Sequence, residues 1–275
     1  MKDKQSLDSL AINNGPKLFD KVISTSNLVK PNENSFIDYL SKSSNCNDDL
    51  NKLLRSFHEV KYCISTVNGF WALVVCIKEL ALKGKDEVLL PSFTYRRLAD
   101  VVAWTGLIPK FCDIENESLG LCPTSVQKNI TDRTALIIGV HPIVNCCNSE
   151  ELESVANYYN IPIVFDGVES VNERINNKKI GSFGLVECFS FHASKLINGF
   201  EGGYITTNNR DVFTRLSKVL SPPHESEGIY FDGKLNEIHA GMAYFNLLDV
   251  ENQIAHNKEI YHCYLQQLKD FPHFR

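Results

Sequence analysis

At 275 residues, 43% hydrophobic and 22% charged, the chain has the composition of a globular protein with one large core. Its net charge of −5 gives no reason to expect nucleic acid or an anionic membrane as partner, and no apolar run approaches the ~18 residues of a membrane span. Its nine cysteines are odd in number and scattered without Cys-x-x-Cys or Cys/His ligand spacing, so they suggest neither a disulfide framework nor a zinc site.

Cys63, Cys76, Cys112 and Cys188 lie in apolar runs and read as reduced core thiols. The start, Met1-Lys2-Asp3-Lys4-Gln5, leads into no apolar signal core. Both features point to the cytoplasm.

Met1–Asn14 is polar and reads as loosely held, with a turn at Asn14-Gly15-Pro16. Helical spacing follows over Asn34–Leu40 and Asp48–Phe57; in the second, Leu50, Leu53, Leu54 and Phe57 share one face. Tyr62–Thr66 reads as a strand, and Val67-Asn68-Gly69 as a turn into an apolar helix, Phe70–Leu82, closed by Gly84 at its C′ position. A glycine turn feeding a helix N-terminus presents free N–H groups and a positive dipole end, which suit an anion.

Glu87–Pro91 reads as a strand, and Ser92-Phe93-Thr94-Tyr95 as the opening of a helix. Arg96 and Arg97 are either exposed helix charges or reach an anionic substrate. Pro109–Ile114 and Thr134–Val140 are further strands; the second ends in His141-Pro142-Ile143-Val144-Asn145. Asn148 is placed to cap a helix running to about Tyr159, with Glu151 at N3. Ile161–Phe165 is a continuously apolar strand, as buried parallel strands are. It delivers Asp166 at its C-terminal end, where open α/β sheets place ligand groups. An Asp in that position otherwise serves as a turn or cap residue.

Val186–Ser190 reads as a strand followed by Phe191-His192-Ala193-Ser194-Lys195, then Glu201-Gly202-Gly203 and a strand over Gly203–Thr207. The neighbours of Lys195 are apolar or small. Poor solvation of an ammonium favours the free amine, which a Schiff base with an aldehyde cofactor needs. Arg210–Leu220 is a helix, Ser221-Pro222-Pro223-His224 begins a loop, and Glu237–Lys269 is helical almost throughout. Strand–helix alternation implies an α/β fold with a mainly parallel sheet flanked by helices. We divide the chain into a large domain, 1–235, and a long helical segment, 236–275.

Ser190-Phe191-His192-Ala193-Ser194-Lys195 with Glu201-Gly202-Gly203 resembles the lysine motif of the DegT/DnrJ-type sugar aminotransferases, fold-type-I enzymes dependent on pyridoxal 5′-phosphate. The resemblance runs from about Asn14 to the last residue and is strongest over Lys61–Asp113 and Ile161–Thr207. It implies that Lys195 binds the cofactor aldehyde and carries a proton during transamination. It further implies that Asp166 pairs with the pyridine nitrogen and Tyr95 stacks on the ring. The phosphate falls to Asn68, Gly69, Phe70 and Ser190. Asp232 lies in a segment, Phe231–Glu237, that resembles the part of the family reaching a partner subunit's phosphate site, which implies a homodimer.

The chain departs from the family pattern at Phe70, where a hydroxyl residue is usual, at Glu169, where Gln or His is usual near the phenolic oxygen, and at Asp232, where Asn is common. Glu169 is expected to share a proton with that oxygen or to turn toward Arg96 or Arg97. Family members continue beyond the length of this chain as a small C-terminal domain, expected to be largely missing here. The function implied is conversion of a keto-sugar, nucleotide-linked, into an amino sugar with glutamate as donor. Two alternatives are a non-catalytic partner subunit and a sugar dehydratase on the same fold. Lys195 argues against the dehydratase, whose relatives carry His in that place.

Overall fold

The computed structural model describes residues 33–43, 45–143, 145–221 and 232–270. The N-terminal turn at Asn14-Gly15-Pro16, Val144, the loop from Pro222 to Phe231 and the last five residues lie outside the described residues.

Helices α1 (Glu33–Lys42) and α2 (Cys46–His58) come first. Asn45 caps α2 by accepting the Asp48 N–H, and Glu59 ends it in the left-handed region. Strand β1 is Tyr62–Thr66 and helix α3 is Gly69–Leu80. Ala81 in extended conformation ends α3, so Gly84 lies in the following turn and not at C′. Strand β2 is Glu87–Pro91. Residues 92–97 form bends and turns, and helix α4 begins only at Leu98, running to Trp104. The expected helix opening at Ser92–Tyr95 is therefore corrected.

Strand β3 is Ile108–Cys112, helix α5 Pro123–Asn129 and strand β4 Thr134–Val140. Helix α6 is Ser149–Tyr158. Asn148 accepts the Glu151 N–H at 3.3 Å as expected of a cap, while its own amide donates to Glu151 Oε2 at 2.7 Å. Strand β5 is Ile163–Asp166. A two-stranded ribbon, β6 (Arg174–Ile175) and β7 (Lys178–Lys179), turns through Asn176 and Asn177, both at positive φ. Strands β8 (Val186–Ser190) and β9 (Gly203–Thr207) precede helices α7 (Arg210–Leu220), α8 (Glu237–Leu248) and α9 (Val250–Leu268). The helical stretch after Asn236 is broken at Asp249.

The main sheet has the order β1-β9-β8-β5-β4-β2-β3. β9 runs antiparallel to both β1 and β8, and every other pairing is parallel. Alternation along the strands sends side chains to two cores. Leu89, Ile137, Phe165, Phe189 and Tyr204 face Leu50 and Leu54 of α2, Leu152 of α6 and Ala243 of α8. Leu90, Ile138, Val164, Cys188 and Ile205 face Val75 of α3, Val101 of α4 and Leu216 of α7. Helices thus cover both faces. Only the strand ends remain for polar work.

Candidate active site

Six strands point the same way, so their C-terminal ends and the loops that follow them lie along one edge of the sheet. Asp166 ends β5 and is 9% exposed. Its Oδ1 accepts the Val168 N–H at 3.1 Å, and its Oδ2 takes no hydrogen bond among the described residues. Burial pushes the carboxyl up to about 6; the Val168 N–H pulls it down, Glu169 pushes it up again, and Lys195 pulls it down. The turn after Asp166 is fixed to β8 by the Gly167 N–H on Cys188 O at 3.0 Å. A Cβ at Gly167 would strike the Phe189 ring at 2.6 Å, so only glycine fits there.

Lys195 sits in the loop joining β8 to β9. Two hydrogen bonds close the base of that loop: Phe191 N–H to Gly202 O and Gly199 N–H to Phe191 O, each 2.9 Å. Buried Asn198 braces the inside, donating to Ala193 O and accepting from Phe200 N–H, both at 2.8 Å. Sequence reasoning passed over Asn198. Its signal was an Asn-Gly pair between apolar residues, a turn signature.

The Lys195 ammonium is not left among apolar neighbours. Its Nζ is ion-paired with Glu169 Oε1. Glu169 accordingly does not turn toward Arg96 or Arg97, which are exposed and have no ion-pair partner among the described residues. His192 and Glu201, on the same loop as Lys195, approach one another at 3.9 Å.

The β1–α3 turn forms the next wall. Asn68 caps α3, accepting the Trp71 N–H at 2.9 Å. The Gly69 and Phe70 N–H groups, in the first turn, have no acceptor among the described residues. A Cβ at Gly69 would lie 3.1 Å from Ser190 Cβ and 3.2 Å from Phe189 O, so the end of β8 abuts the start of α3. Ser190 Oγ accepts the His192 N–H at 3.1 Å, leaving its own hydrogen to donate. Phe70 is half-buried, edge-on to Trp71.

Val67 N–H donates to Gly233 O at 2.8 Å, so the segment carrying exposed Asp232 runs beside this chain's own β1–α3 turn. Tyr95 is 66% exposed on the turn after β2. The hydroxyl of Thr94 is buried without a partner among the described residues.

A buried carboxyl, an amine and unpaired helix-start amides lined by glycine fit a ligand carrying a protonated ring nitrogen, an aldehyde and a phosphate. Among the described residues no acid, His or Cys group could hold a metal. No described helix is long and apolar enough to cross a membrane.

The sequence pattern of the DegT/DnrJ/EryC1/StrS aminotransferase family matches residues 38–275. GDP-perosamine synthase of Vibrio cholerae is 26% identical over 222 residues, covering 78% of this chain and 60% of that protein. The UDP-2-acetamido-2-deoxy-3-oxo-D-glucuronate aminotransferase of Pseudomonas aeruginosa is 33% identical over 172 residues, covering 62% of this chain and 48% of that one. The chain thus spans about 60% or less of the length of these two curated relatives. Among solved structures, DesI in the presence of its TDP-sugar product superposes with a TM-score of 0.84 at 25% identity, over 97% of this chain and 71% of that one. The GDP-4-keto-6-deoxy-D-mannose-3-dehydratase of E. coli with bound hydrated PLP gives 0.78 at 21% identity, over 92% and 74%, a likeness of fold. Together with the mainly parallel sheet and the lysine loop at its edge, the match over residues 38–275 establishes that the chain belongs to the DegT/DnrJ/EryC1/StrS aminotransferase family.

Proposed function

We propose that this chain carries the pyridoxal 5′-phosphate site of an aminotransferase that turns a keto-sugar, nucleotide-linked, into an amino sugar with glutamate as donor. When bound, that cofactor supplies an aldehyde to hold amines and a ring to accept electrons from the adjacent carbon. The observation that carries the reading is the convergence of the Lys195 amine and the buried Asp166 carboxyl beside the glycine-lined start of α3.

Lys195 holds the aldehyde and moves the proton at the reacting carbon. Asp166 keeps the ring nitrogen protonated; a buried carboxyl without a cation of its own gains most from such a partner. Asn68, Gly69 and Phe70, through backbone N–H groups, and Ser190, through its hydroxyl, bind the phosphate. The amides serve whatever side chain stands at 70, so Phe70 keeps the anchoring and forgoes one hydroxyl. Tyr95 covers the ring. Asp232 borders the phosphate region. The protein acts as a cytoplasmic homodimer. Residues 1–235 form the cofactor domain and 236–275 a helical extension beside it.

Borohydride reduction of the chain loaded with pyridoxal 5′-phosphate, followed by peptide mass analysis, is expected to place the pyridoxyl group on Lys195. Lys195→Arg is expected to carry none, because Arg stays charged. A label on another lysine, or none, overturns the reading.

A further inference from the structure

Asn47, on the first turn of α2, is 3% exposed and joins three parts of the chain that are distant in sequence. Its Nδ2 donates to Leu235 O at 2.9 Å and to Glu237 Oε1 at 2.8 Å. Its Oδ1 accepts the hydroxyl of buried Ser65 at 2.6 Å. Three of the four hydrogen bonds open to an amide side chain are thus made. Two more bonds stiffen the network. Glu237 Oε2 accepts the Cys46 N–H at 2.6 Å, and Ser65 Oγ accepts from Asn51 Nδ2 at 3.3 Å.

Both arms of this network end at the β1–α3 turn. Ser65 lies on β1, just before Thr66, whose Oγ1 donates to Asn68 O at 3.1 Å. On the other arm, Leu235 follows Gly233, whose carbonyl accepts the Val67 N–H at 2.8 Å. Asn47 therefore ties the strand that enters the turn to the segment that lies beside it. The unpaired Gly69 and Phe70 N–H groups come directly after. The lysine loop and Asp166 rest on β8, β9 and β5 instead. Among the described residues no side-chain hydrogen bond of Asn47 or Ser65 reaches them. Apolar side chains at 47 and 65 could fill the same space at similar stability, since replacing both partners of a hydrogen bond is nearly neutral. What the polar network adds is direction.

We propose that Asn47, acting through Ser65 and Leu235, is a positioning residue: it holds the β1–α3 turn at the angle at which the turn's free N–H groups donate to one phosphate. This rests on the reading that the turn takes the cofactor phosphate, and it adds residues from α2 and the middle of β1 to that task.

The test uses the cofactor-free chain and three probes: pyridoxal 5′-phosphate, pyridoxal, which lacks the phosphate, and inorganic phosphate. The first two are titrated by fluorescence, and the third by its effect on thermal unfolding. Ser65→Ala removes one link and leaves the contacts between α2 and α8 in place, so it decides the matter even where Asn47→Leu fails to fold. Ser65→Ala is expected to weaken inorganic phosphate and pyridoxal 5′-phosphate about tenfold each, the equivalent of one well-placed hydrogen bond, and pyridoxal less than about twofold. Ser65→Thr keeps the hydroxyl and is expected to bind all three as wild type does. Equal losses for pyridoxal 5′-phosphate and pyridoxal would show a general clamp and overturn the proposal. So would unchanged phosphate affinity in Ser65→Ala, or a wild type that binds no phosphate. If borohydride places pyridoxal 5′-phosphate on a lysine other than Lys195 while Ser65→Ala weakens inorganic phosphate, the cofactor reading falls and the positioning role stands. Trapping on Lys195 with unchanged phosphate affinity in Ser65→Ala leaves the cofactor reading and removes the role.

Discussion

Gly203 packs so closely on Gly69 that a Cβ built on Gly203 would lie 2.5 Å from the Gly69 amide nitrogen. The other near atoms are Asn68 C at 2.6 Å and Phe189 O at 2.8 Å, all backbone. The first residue of β9 therefore forms the floor of the helix start proposed to take phosphate. Gly203 lacks a side chain so that two backbone segments of the chain, β9 and the β1–α3 turn, can meet.

Gly203→Ala is accordingly expected to push β9 away from the β1–α3 turn. A loss of about 1–3 kcal/mol in stability, the usual range for overpacking, should accompany weaker capture of pyridoxal 5′-phosphate. At Gly69 the corresponding contacts are 3.1 and 3.2 Å, and φ is not in the glycine region. Gly69→Ala should therefore cost less stability than Gly203→Ala. Thermal unfolding of both variants checks the order; the reverse order would mean that the β9 contact is slack.

Asp166→Asn should separate stability from function. The folded carboxyl is raised to about 6, whereas in the unfolded chain it titrates near its ordinary value of about 4. Between those values the unfolded state releases a proton that the folded state keeps, so stability falls as pH rises through the window and then levels. By pH 7 the cost is complete, roughly 3 kcal/mol for a shift of this size. Asn removes it. The cofactor-free variant should unfold at a higher temperature than wild type at pH 7 and at nearly the same temperature at pH 4. Its affinity for pyridoxal 5′-phosphate, measured by fluorescence titration, should drop at least tenfold.

Glu187, a residue given no part in ligand binding, offers a second titration. It is fully buried, and its two oxygens accept the Gly181 and Phe183 N–H groups, each at 2.6 Å. Burial outweighs those two bonds and pushes the carboxyl up to about 8. The sign is the same as for Asp166 but the window is wider, from about 4 to about 8. Wild type should lose thermal stability steadily across it. Glu187→Gln should flatten that slope while lowering stability at pH 5, since its amide cannot accept the second N–H. Parallel pH profiles for the two proteins would show that Glu187 does not titrate there.

Much of this layout was legible in the chain. β1, β2, β4, β8, β9 and α7 begin and end at the residues that apolar runs and flanking Gly, Pro and Asn mark. Asp166 was found because a wholly apolar strand must release its first polar residue at the sheet edge. The Lys195–Glu169 pair was not legible: it joins two irregular loops, and no local pattern encodes which carboxylate an amine meets across them. The start of α4 was misread because Ser92-Phe93-Thr94 has capping residues, yet the chain first uses the Tyr95 carbonyl to accept the Leu98 N–H. The β6–β7 ribbon went unseen because each strand has only two residues, too few for alternation to register.

The antiparallel course of β9 has a consequence for how the site is assembled in time. Ser190 and Gly203 pair across a loop of residues 191–202, so the lysine-bearing segment is closed by a nearby hairpin contact. Gly203 also pairs with Thr66, and that ring encloses more than ten times as many residues. Closing the longer ring costs roughly 2 kcal/mol more in chain entropy. Short-range hairpins form in microseconds, while distant pairings wait for the chain between them to collapse. On chain entropy alone the lysine loop is therefore expected to close before the anion cradle. In that order, the lysine would be in place before Thr66 docks on Gly203 and completes the seat proposed for the phosphate.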